Sequence, residues 1–539
     1  MARRVAIIGG GSSGLCAIKA CLDEGLEPVC FERSRDIGGL WRFEEQPEEG
    51  RASIYRSVII NTSKEMMCFS DFPIPDDFPN YMHHSKIMEY FRMYARRFDL
   101  LRHIRFGTRV CRVSKRPDFA ATGRWEVVTE SEGKQESAVF DAVLVCTGHH
   151  TDAHLPLHAF PGIEKFKGRY LHSRDYKDPQ DFKDKRVVVI GIGNSGSDLA
   201  VEISQTAKQV FLSTRRGAWI LNRVGQQGYP IDIVFTTRLK ALLKQLLTSS
   251  MASDFTERQL NMRFDHAHYG LKPKHRVFDQ HPTVNDDLPN RIISGRVRVK
   301  PNVQEFTETS AIFEDGTRED IDAVIFATGY SFSFPFLEDY VKVVENQVSL
   351  YKYVFPVDLE KPTLAFIGYV QPLGAIMPIS ELQCRWATRV FKGLSTLPPR
   401  HDMEADIKHK KEEMAKYVAS RRHTIQVDYI PYMDELACQL GVKPNLPLLF
   451  LTDPPLALEV LLGPCTPYQY RLRGPGAWRG ARAAILTQRQ RVVQPLQTRH
   501  VEENTSVSVL PLLRKLAVEQ KTTLYFTTSL ALLLVLQGW

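Results

Sequence analysis

Two glycine clusters carry the chemistry that this 539-residue chain is equipped to do. In the first, Val5-Ala6-Ile7-Ile8 runs into Gly9-Gly10-Gly11-Ser12-Ser13-Gly14, and a helical pattern starts at Leu15. A β-branched strand, a G-x-G-x-x-G turn and a helix, in that order, open a dinucleotide fold. Gly9 permits the tight turn, Gly11 lets backbone N–H groups approach a pyrophosphate, and Gly14 permits close helix–strand packing. The helix N-terminus adds partial positive charge. A further strand, Pro28-Val29-Cys30-Phe31, ends in Glu32, 18 residues beyond Gly14, where a carboxylate accepts bonds from ribose hydroxyls. The second cluster repeats the plan. Arg186-Val187-Val188-Val189-Ile190 leads into Gly191-Ile192-Gly193-Asn194-Ser195-Gly196, followed by the helical run from Asp198. Its next strand, Gln209 to Thr214, ends in Arg215-Arg216. An acid at that place favours a free ribose 2′-OH, whereas arginine accommodates a 2′-phosphate. The Glu32/Arg215 contrast therefore predicts FAD at the first turn and NADPH at the second.

Other candidate residues are less decisive alone. Gly38-Gly39-Leu40-Trp41 suits a loop lying against a flat ligand, or an ordinary turn with a buried Trp. Asn61-Thr62-Ser63 follows Ile59-Ile60, read as the end of a strand. Asn61 or Thr62 could cap a helix, or an amide could point into a cofactor site; the residues leave both open. His149 and His150, after Thr147-Gly148, read as linker residues. The nine cysteines form no C-x-x-C pair and read as reduced thiols in a cytosolic environment. No zinc spacing and no Ser-His-Asp constellation is present. A disulfide reductase loses ground for want of a cysteine pair. What remains is hydride passing from NADPH to a flavin, and a reduced flavin meeting oxygen.

The elements that position these residues are strands of a buried type. Val110 to Val113, Arg124 to Val128 and Asp141 to Gly148 precede the second turn, and Asp322 to Gly329 echoes the last of them. From first glycine to closing Thr-Gly is 139 residues in one unit and 138 in the other. The expected fold class is α/β: two Rossmann-like dinucleotide-binding domains, one inserted in the other, with a helical insertion and a C-terminal membrane tail. The FAD domain is expected over 1–155 and 331–445, the NADP domain over 156–213 and 296–330, and the insertion over 214–295. A C-terminal region, 446–520, and a tail, 521–539, follow. Within the insertion, 231–247 reads as one basic amphipathic helix, either core or membrane-facing. Pro273, Pro282 and Pro289 then mark an irregular stretch. Leu364 to Gly368 reads as a buried strand, Gln371-Pro372-Leu373-Gly374 as a turn, and 403–440 as a charged, solvated helical covering. The apolar tail, counted from Thr522 to Leu536, is 15 residues, short of the roughly 20 that span a bilayer. Arg514, Lys515 and Lys521 before it suit a cytosol-facing anchor. The net charge of +8 suits anionic cofactors or a membrane surface, and no nucleic-acid motif accompanies it. No secretory signal precedes the first strand.

These residues carry a resemblance. Phe166-Lys167-Gly168-Arg169-Tyr170-Leu171-His172-Ser173-Arg174-Asp175-Tyr176 resembles the F-x-G-x-x-x-H-x-x-x-[YF] signature of flavin-containing monooxygenases, and Phe326-Ala327-Thr328-Gly329-Tyr330 that family's F-A-T-G-Y motif. The likeness spans essentially the whole chain. Arg216 to Arg223, Gly270 to Arg276 and His281 to Asp287 are most similar to the form-five branch of the vertebrate microsomal family, and the sequence after about Thr505 departs from it. The resemblance implies that NADPH reduces FAD, that O₂ adds at flavin C4a, and that retained NADP⁺ shields the peroxyflavin from water. It implies a catalytic Asn61 beside the flavin. It also implies FAD contacts from Gly9, Gly10, Gly11, Ser12, Ser13, Gly14, Glu32, Arg33, Gly39, Leu40, Trp41, Asn61, Thr62 and Gln371. Tyr55, Gly191, Gly193, Asn194, Ser195, Gly196, Ser197, Asp198 and Arg215 are the NADP set, and His172 organises the domain linkage. Form-five likeness implies Baeyer–Villiger insertion of oxygen into ketones or aldehydes, with uncoupled NADPH oxidation to H₂O₂. The alternatives are N- or S-oxygenation of soft nucleophiles, an NADPH-dependent flavin reductase, and a non-catalytic flavin sensor. The implied partners are a small lipophilic substrate, O₂ and lipid of the endoplasmic reticulum membrane, reached through the tail and 231–247. A homodimer stands as the alternative to a monomer, and no nucleic-acid partner is expected.

Overall fold

Strand β1 (Arg4–Ile8) turns through the first glycine cluster into helix α1 (Ser12–Asp23), and β2 (Glu27–Phe31) returns beside it, in a computed structural model that describes residues 3–499 apart from 338–339, 342, 345–346 and 418–424. Val5, Ala6 and Ile7 are fully buried, as expected for a strand covered on both faces. With β3 (Ile104–Arg105) and β4 (Ala142–Val145) these form one parallel sheet. The second sheet is built from β5 (Arg169–His172), β6 (Arg186–Ile190), β7 (Gln209–Ser213), β8 (Val297–Lys300) and β9 (Ala323–Phe326), also parallel throughout, with helix α2 (Asn194–Ile203) after β6. Strand β10 (Leu364–Phe366) then rejoins the first sheet, whose order is β10-β4-β1-β2-β3; the second is β8-β7-β6-β9-β5. The two sheets are Rossmann-type, and the chain leaves the first to build the second before returning.

The internal likeness goes deeper than the glycine turns. Each unit carries a three-stranded antiparallel meander just before its closing strand. One consists of Arg109–Lys115, Trp125–Ser131 and Lys134–Phe140, the other of Val303–Phe306, Ser310–Phe313 and Arg318–Asp320. The strand Lys134–Phe140 escapes sequence reading because most of its residues are exposed, so no apolar run marks it.

Four sequence expectations need correction. The stretch 231–247 is not one helix: α3 (Ile231–Phe235) stops and α4 (Arg238–Leu246) begins anew, because the Thr237 side chain accepts the Lys240 N–H as an N-cap. The covering expected over 403–440 is two helices of opposite character. α6 (Arg400–Tyr417), which follows α5 (Met377–Lys392), is charged and largely solvated, whereas α7 (Tyr429–Leu440) buries Tyr429, Tyr432, Met433 and Leu436 in the main core. Ile59-Ile60 is no strand; Ile59 makes a single isolated bridge with His83. Gln371–Leu373 is a short strand paired with Gln426–Asp428 rather than a turn. Between Phe264 and Asp287 the chain is irregular apart from Thr283–Val284, as the prolines indicate. Among the described residues no helix is long and apolar enough to cross a membrane, and the tail over 521–539 lies outside them.

Candidate functional site

The first turn has the shape a dinucleotide requires. Gly9 has φ +107, and a Cβ there would fall 2.6 Å from the Cys146 carbonyl oxygen. A Cβ on Gly14 would fall 1.9 Å from the Gly9 carbonyl oxygen, so helix and strand pack through a gap that only glycine leaves. Gly11 is the N-cap of α1 and no side chain caps the helix, which leaves its first N–H groups for an anion. Ser12 and Ser13 begin the helix, and the Ser13 hydroxyl meets Ser380 of α5 at 3.2 Å. Opposite Gly11 stands Gly39, in a 3-10 turn with Leu40 and Trp41, and the Gly38 N–H donates to the Gly10 carbonyl at 3.1 Å. Glu32 follows β2. Its carboxylate accepts the Gly10 N–H at 2.7 Å and the Ser34 N–H and hydroxyl at 2.9 and 2.6 Å. Arg33 instead reaches the Gly50 carbonyl at 2.8 Å. Gln371 donates its N–H to the Ile425 carbonyl at 2.7 Å. The backbone cradle and a fixed acid at the ribose place fit FAD.

The second turn is its copy. Gly191 has φ +107, and a Cβ on Gly196 would fall 2.0 Å from the Gly191 carbonyl oxygen. Gly193 caps α2 without a side-chain bond into the helix, and a Cβ there would meet nothing within 4 Å. Asn194 accepts the Val284 N–H on its Oδ1 at 2.9 Å, which fastens the insertion to the turn. Ser195 is half-buried beside it, Ser197 bonds back to the Asn194 carbonyl, and Arg215 stands exposed past the end of β7. This arrangement fits a nucleotide carrying a 2′-phosphate.

The chain also brings together residues that lie far apart in sequence. Tyr55 donates its hydroxyl to Asp198 Oδ2, and Asn285 of the insertion donates to Asp198 Oδ1 at 2.7 Å. Burial pushes the Asp198 carboxyl above its ordinary range, against these bonds and the Arg223 charge. Asn61 is not a helix cap: Ser63 occupies that place for the short helix Lys64–Met67. The Asn61 Oδ1 instead accepts from Arg223 Nη2 at 2.7 Å, with Thr62 half-buried beside it. Asp286 holds Arg223 in turn, accepting its N–H at 3.0 Å and pairing with its guanidinium at 3.4 Å. Sequence reasoning missed Arg223, Asn285 and Asp286 as partners, because no periodicity links positions 162 or 87 residues apart. His172 bonds the Gly329 carbonyl through Nε2 at 3.1 Å and accepts the Arg174 N–H on Nδ1, tying the signature to the F-A-T-G-Y stretch. His149 and His150 are half-buried at the crossing, where burial depresses both, His150 to about 4. No group of three or more metal-ligating side chains occurs among the described residues.

Comparison with known proteins agrees with this geometry. The flavin-binding monooxygenase-like family matches residues 2–530. Flavin-containing monooxygenase 5 of Oryctolagus cuniculus is 70% identical over 508 residues, 94% of this chain and 95% of its own length. The N-oxide-forming dimethylaniline monooxygenase 2 of Cavia porcellus is 56% identical over 530 residues, 98% and 99% of the two chains. Among solved structures, S-allyl-L-cysteine S-oxygenase from Allium sativum superposes with TM-score 0.62 at 25% identity, covering 82% of this chain and 89% of its own. Steroid monooxygenase bound to NADP shares the fold at TM-score 0.59 and 18% identity, covering 81% and 97%. The chain belongs to the flavin-binding monooxygenase-like family, and it is an oxidoreductase whose cofactors are FAD and NADPH.

Proposed function

We propose that the protein is an NADPH- and O₂-dependent monooxygenase that inserts oxygen into ketones or aldehydes, the Baeyer–Villiger reaction. A ketone, O₂, NADPH and a proton give an ester, NADP⁺ and water. Without substrate, NADPH, O₂ and a proton give NADP⁺ and H₂O₂. When bound, FAD supplies the redox chemistry, taking hydride from NADPH and activating O₂. The protein's own residues hold that chemistry in place. Glu32 and the Gly9–Gly14 cradle seat the FAD ribose and pyrophosphate, with Leu40, Trp41, Asn61, Thr62 and Gln371 on the flavin side. Gly191 to Asp198, with Tyr55, seat NADPH, and Arg215 meets its 2′-phosphate.

The observation that carries the reading is the Arg223–Asn61 bond. Because Arg223 occupies Oδ1, the Asn61 Nδ2 donors are turned away from it and remain for the reacting centre. An amide fixed by a guanidinium, itself fixed by Asp286, is a preorganised donor of the kind that stabilises developing charge. The choice of carbonyl substrates rests on the similarity to the rabbit form 5 protein. A second reading, N- or S-oxygenation at the same site, is favoured by the 56% identity to a relative named for N-oxide formation. Product analysis separates them: an aliphatic ketone should give ester, and exclusive N- or S-oxide from a tertiary amine or thioether would overturn the carbonyl assignment.

We also infer docking on the endoplasmic reticulum membrane, with the catalytic sheets facing the cytosol. Helix α4 packs on the helix Pro454–Leu462, next to Leu446–Thr452, and Leu246 and Leu451 there are 71% and 83% exposed. These exposed leucines suit a lipid surface.

A further inference from the structure

The Asn61 turn is held from the insertion at two points. One is Arg223 on the Asn61 carboxamide. The other is Asp232, in the first turn of α3, whose Oδ2 accepts the Ser63 N–H at 2.7 Å across 169 positions of chain. Ser63 is fully buried and begins the helix Lys64–Met67. The second Asp232 oxygen accepts the N–H of Ile233 at 2.9 Å. The two oxygens thus bond backbone groups on opposite sides of the contact, one in the insertion and one in the Asn61 turn. The Asp232 segment is itself fixed to Arg223. Both the Ile231 N–H and the Tyr81 hydroxyl donate to the Arg223 carbonyl, each at 2.8 Å. Arg223, Tyr81 and the Asp232 segment are thus joined through one carbonyl, and the bonds to Ser63 and Asn61 leave from the same part of the insertion. A carboxylate suits this place: it offers two acceptors, makes charge-assisted bonds and brings no donor that needs a partner.

We propose that Asp232 is a positioning residue for the oxygenation site: it fixes the backbone of the Asn61 turn, and without it reducing equivalents divert into H₂O₂. The inference rests on the monooxygenase reading above. Burial of the same carboxylate, which pushes it up to about 6, agrees with its place inside the contact.

The test uses the full-length, FAD-loaded enzyme and its Asp232→Ala and Asp232→Asn variants. Three quantities are measured: H₂O₂ released per NADPH consumed at saturating ketone, KM for NADPH, and hydrogen–deuterium exchange over residues 59–67. Asp232→Ala should raise the peroxide ratio several-fold with KM for NADPH unchanged, and the Ser63 amide should exchange about tenfold faster, as for one lost hydrogen bond. Asp232→Asn should recover part of both effects, since its Oδ1 still accepts from Ser63. A wild-type peroxide ratio in Asp232→Ala overturns the proposal, as does an asparagine variant no better than alanine. Should Asp232→Ala fail to fold, Asp232→Glu displaces the carboxylate by one methylene and must also raise the ratio; a wild-type value overturns the proposal. If the wild-type enzyme makes neither peroxide nor ester from NADPH, the monooxygenase reading fails. The exchange rates of the variants then decide the role of Asp232 alone.

Discussion

Arg215→Ala is the sharpest test of the division between the two nucleotide sites. Arg215 lies two residues past the end of β7, and the Gly191 N–H donates to the Ser213 carbonyl at 2.9 Å, so the backbone leading to Arg215 is fastened to the second glycine turn. Thr214 holds the bend there by accepting the Gly217 N–H at 3.0 Å. A guanidinium–phosphate hydrogen bond is worth about 1.5–3 kcal/mol, and an exposed position belongs at the low end. About 1.5 kcal/mol corresponds to roughly tenfold in affinity. Steady-state kinetics should therefore show KM for NADPH rising about tenfold in Arg215→Ala, while KM for NADH, which lacks the 2′-phosphate, moves by less than about twofold. Arg215→Lys keeps the charge but loses the planar fork, and should fall between. Equal changes with both nucleotides would mean that Arg215 is a solvated strand end, and the reasoning that separates the two sites by Glu32 and Arg215 would fail.

Four further outcomes are expected. Gly14→Ala places a Cβ 1.9 Å from the Gly9 carbonyl oxygen, so the purified variant should lack the visible absorbance of bound flavin. Arg471→Met removes the partner of buried Glu381, at 2.8 Å, and of Asp71, at 3.1 Å, and should cost about 3–5 kcal/mol in thermal unfolding, whereas Arg482→Met on an exposed pair should cost nothing measurable. Asp232 has a folded-state carboxyl near 6 against an ordinary 3.8, so the folded protein holds that proton more tightly than the unfolded chain. Its contribution therefore worsens by up to about 3 kcal/mol as pH rises from about 4 through 6, and Asp232→Asn should flatten the fall of Tm across that range. Deleting 521–539 should release much of the protein from membranes with activity retained; complete retention on membranes would assign the anchoring to the leucine-bearing helices around α4.

The glycine turns and the strands feeding them were legible in the sequence because both signals are local. A β-branched run buried on both faces needs no partner to be recognised, and the glycines at 9, 14, 191 and 196 sit where any Cβ collides with backbone. Glu32 was legible for the same reason: it follows β2 directly and accepts the Gly10 N–H of the turn. Pairings between distant segments were not. Arg223 with Asn61, Asp232 with Ser63, and Asn285 with Asp198 join stretches that share no period, and only the fold of the insertion back onto the Asn61 turn and onto α2 brings them together. Local chemistry also misled where capping overrode periodicity. Thr237 starts a new helix inside what reads as one amphipathic run. Tyr429 to Leu440 looked charged beside its solvated neighbour, yet Glu435 and Asp434 are held in ion pairs with Lys352 and Arg238 while the apolar face enters the core.

The central claim is that one oxygen atom of O₂ enters a carbonyl substrate at this flavin site. Its most direct test is turnover of an aliphatic ketone with NADPH under ¹⁸O₂, with mass analysis of the product. The account predicts an ester carrying one ¹⁸O atom and consumption of one NADPH for each ester or H₂O₂ formed. Oxygen derived from water, or NADPH oxidised without O₂ uptake, would contradict it.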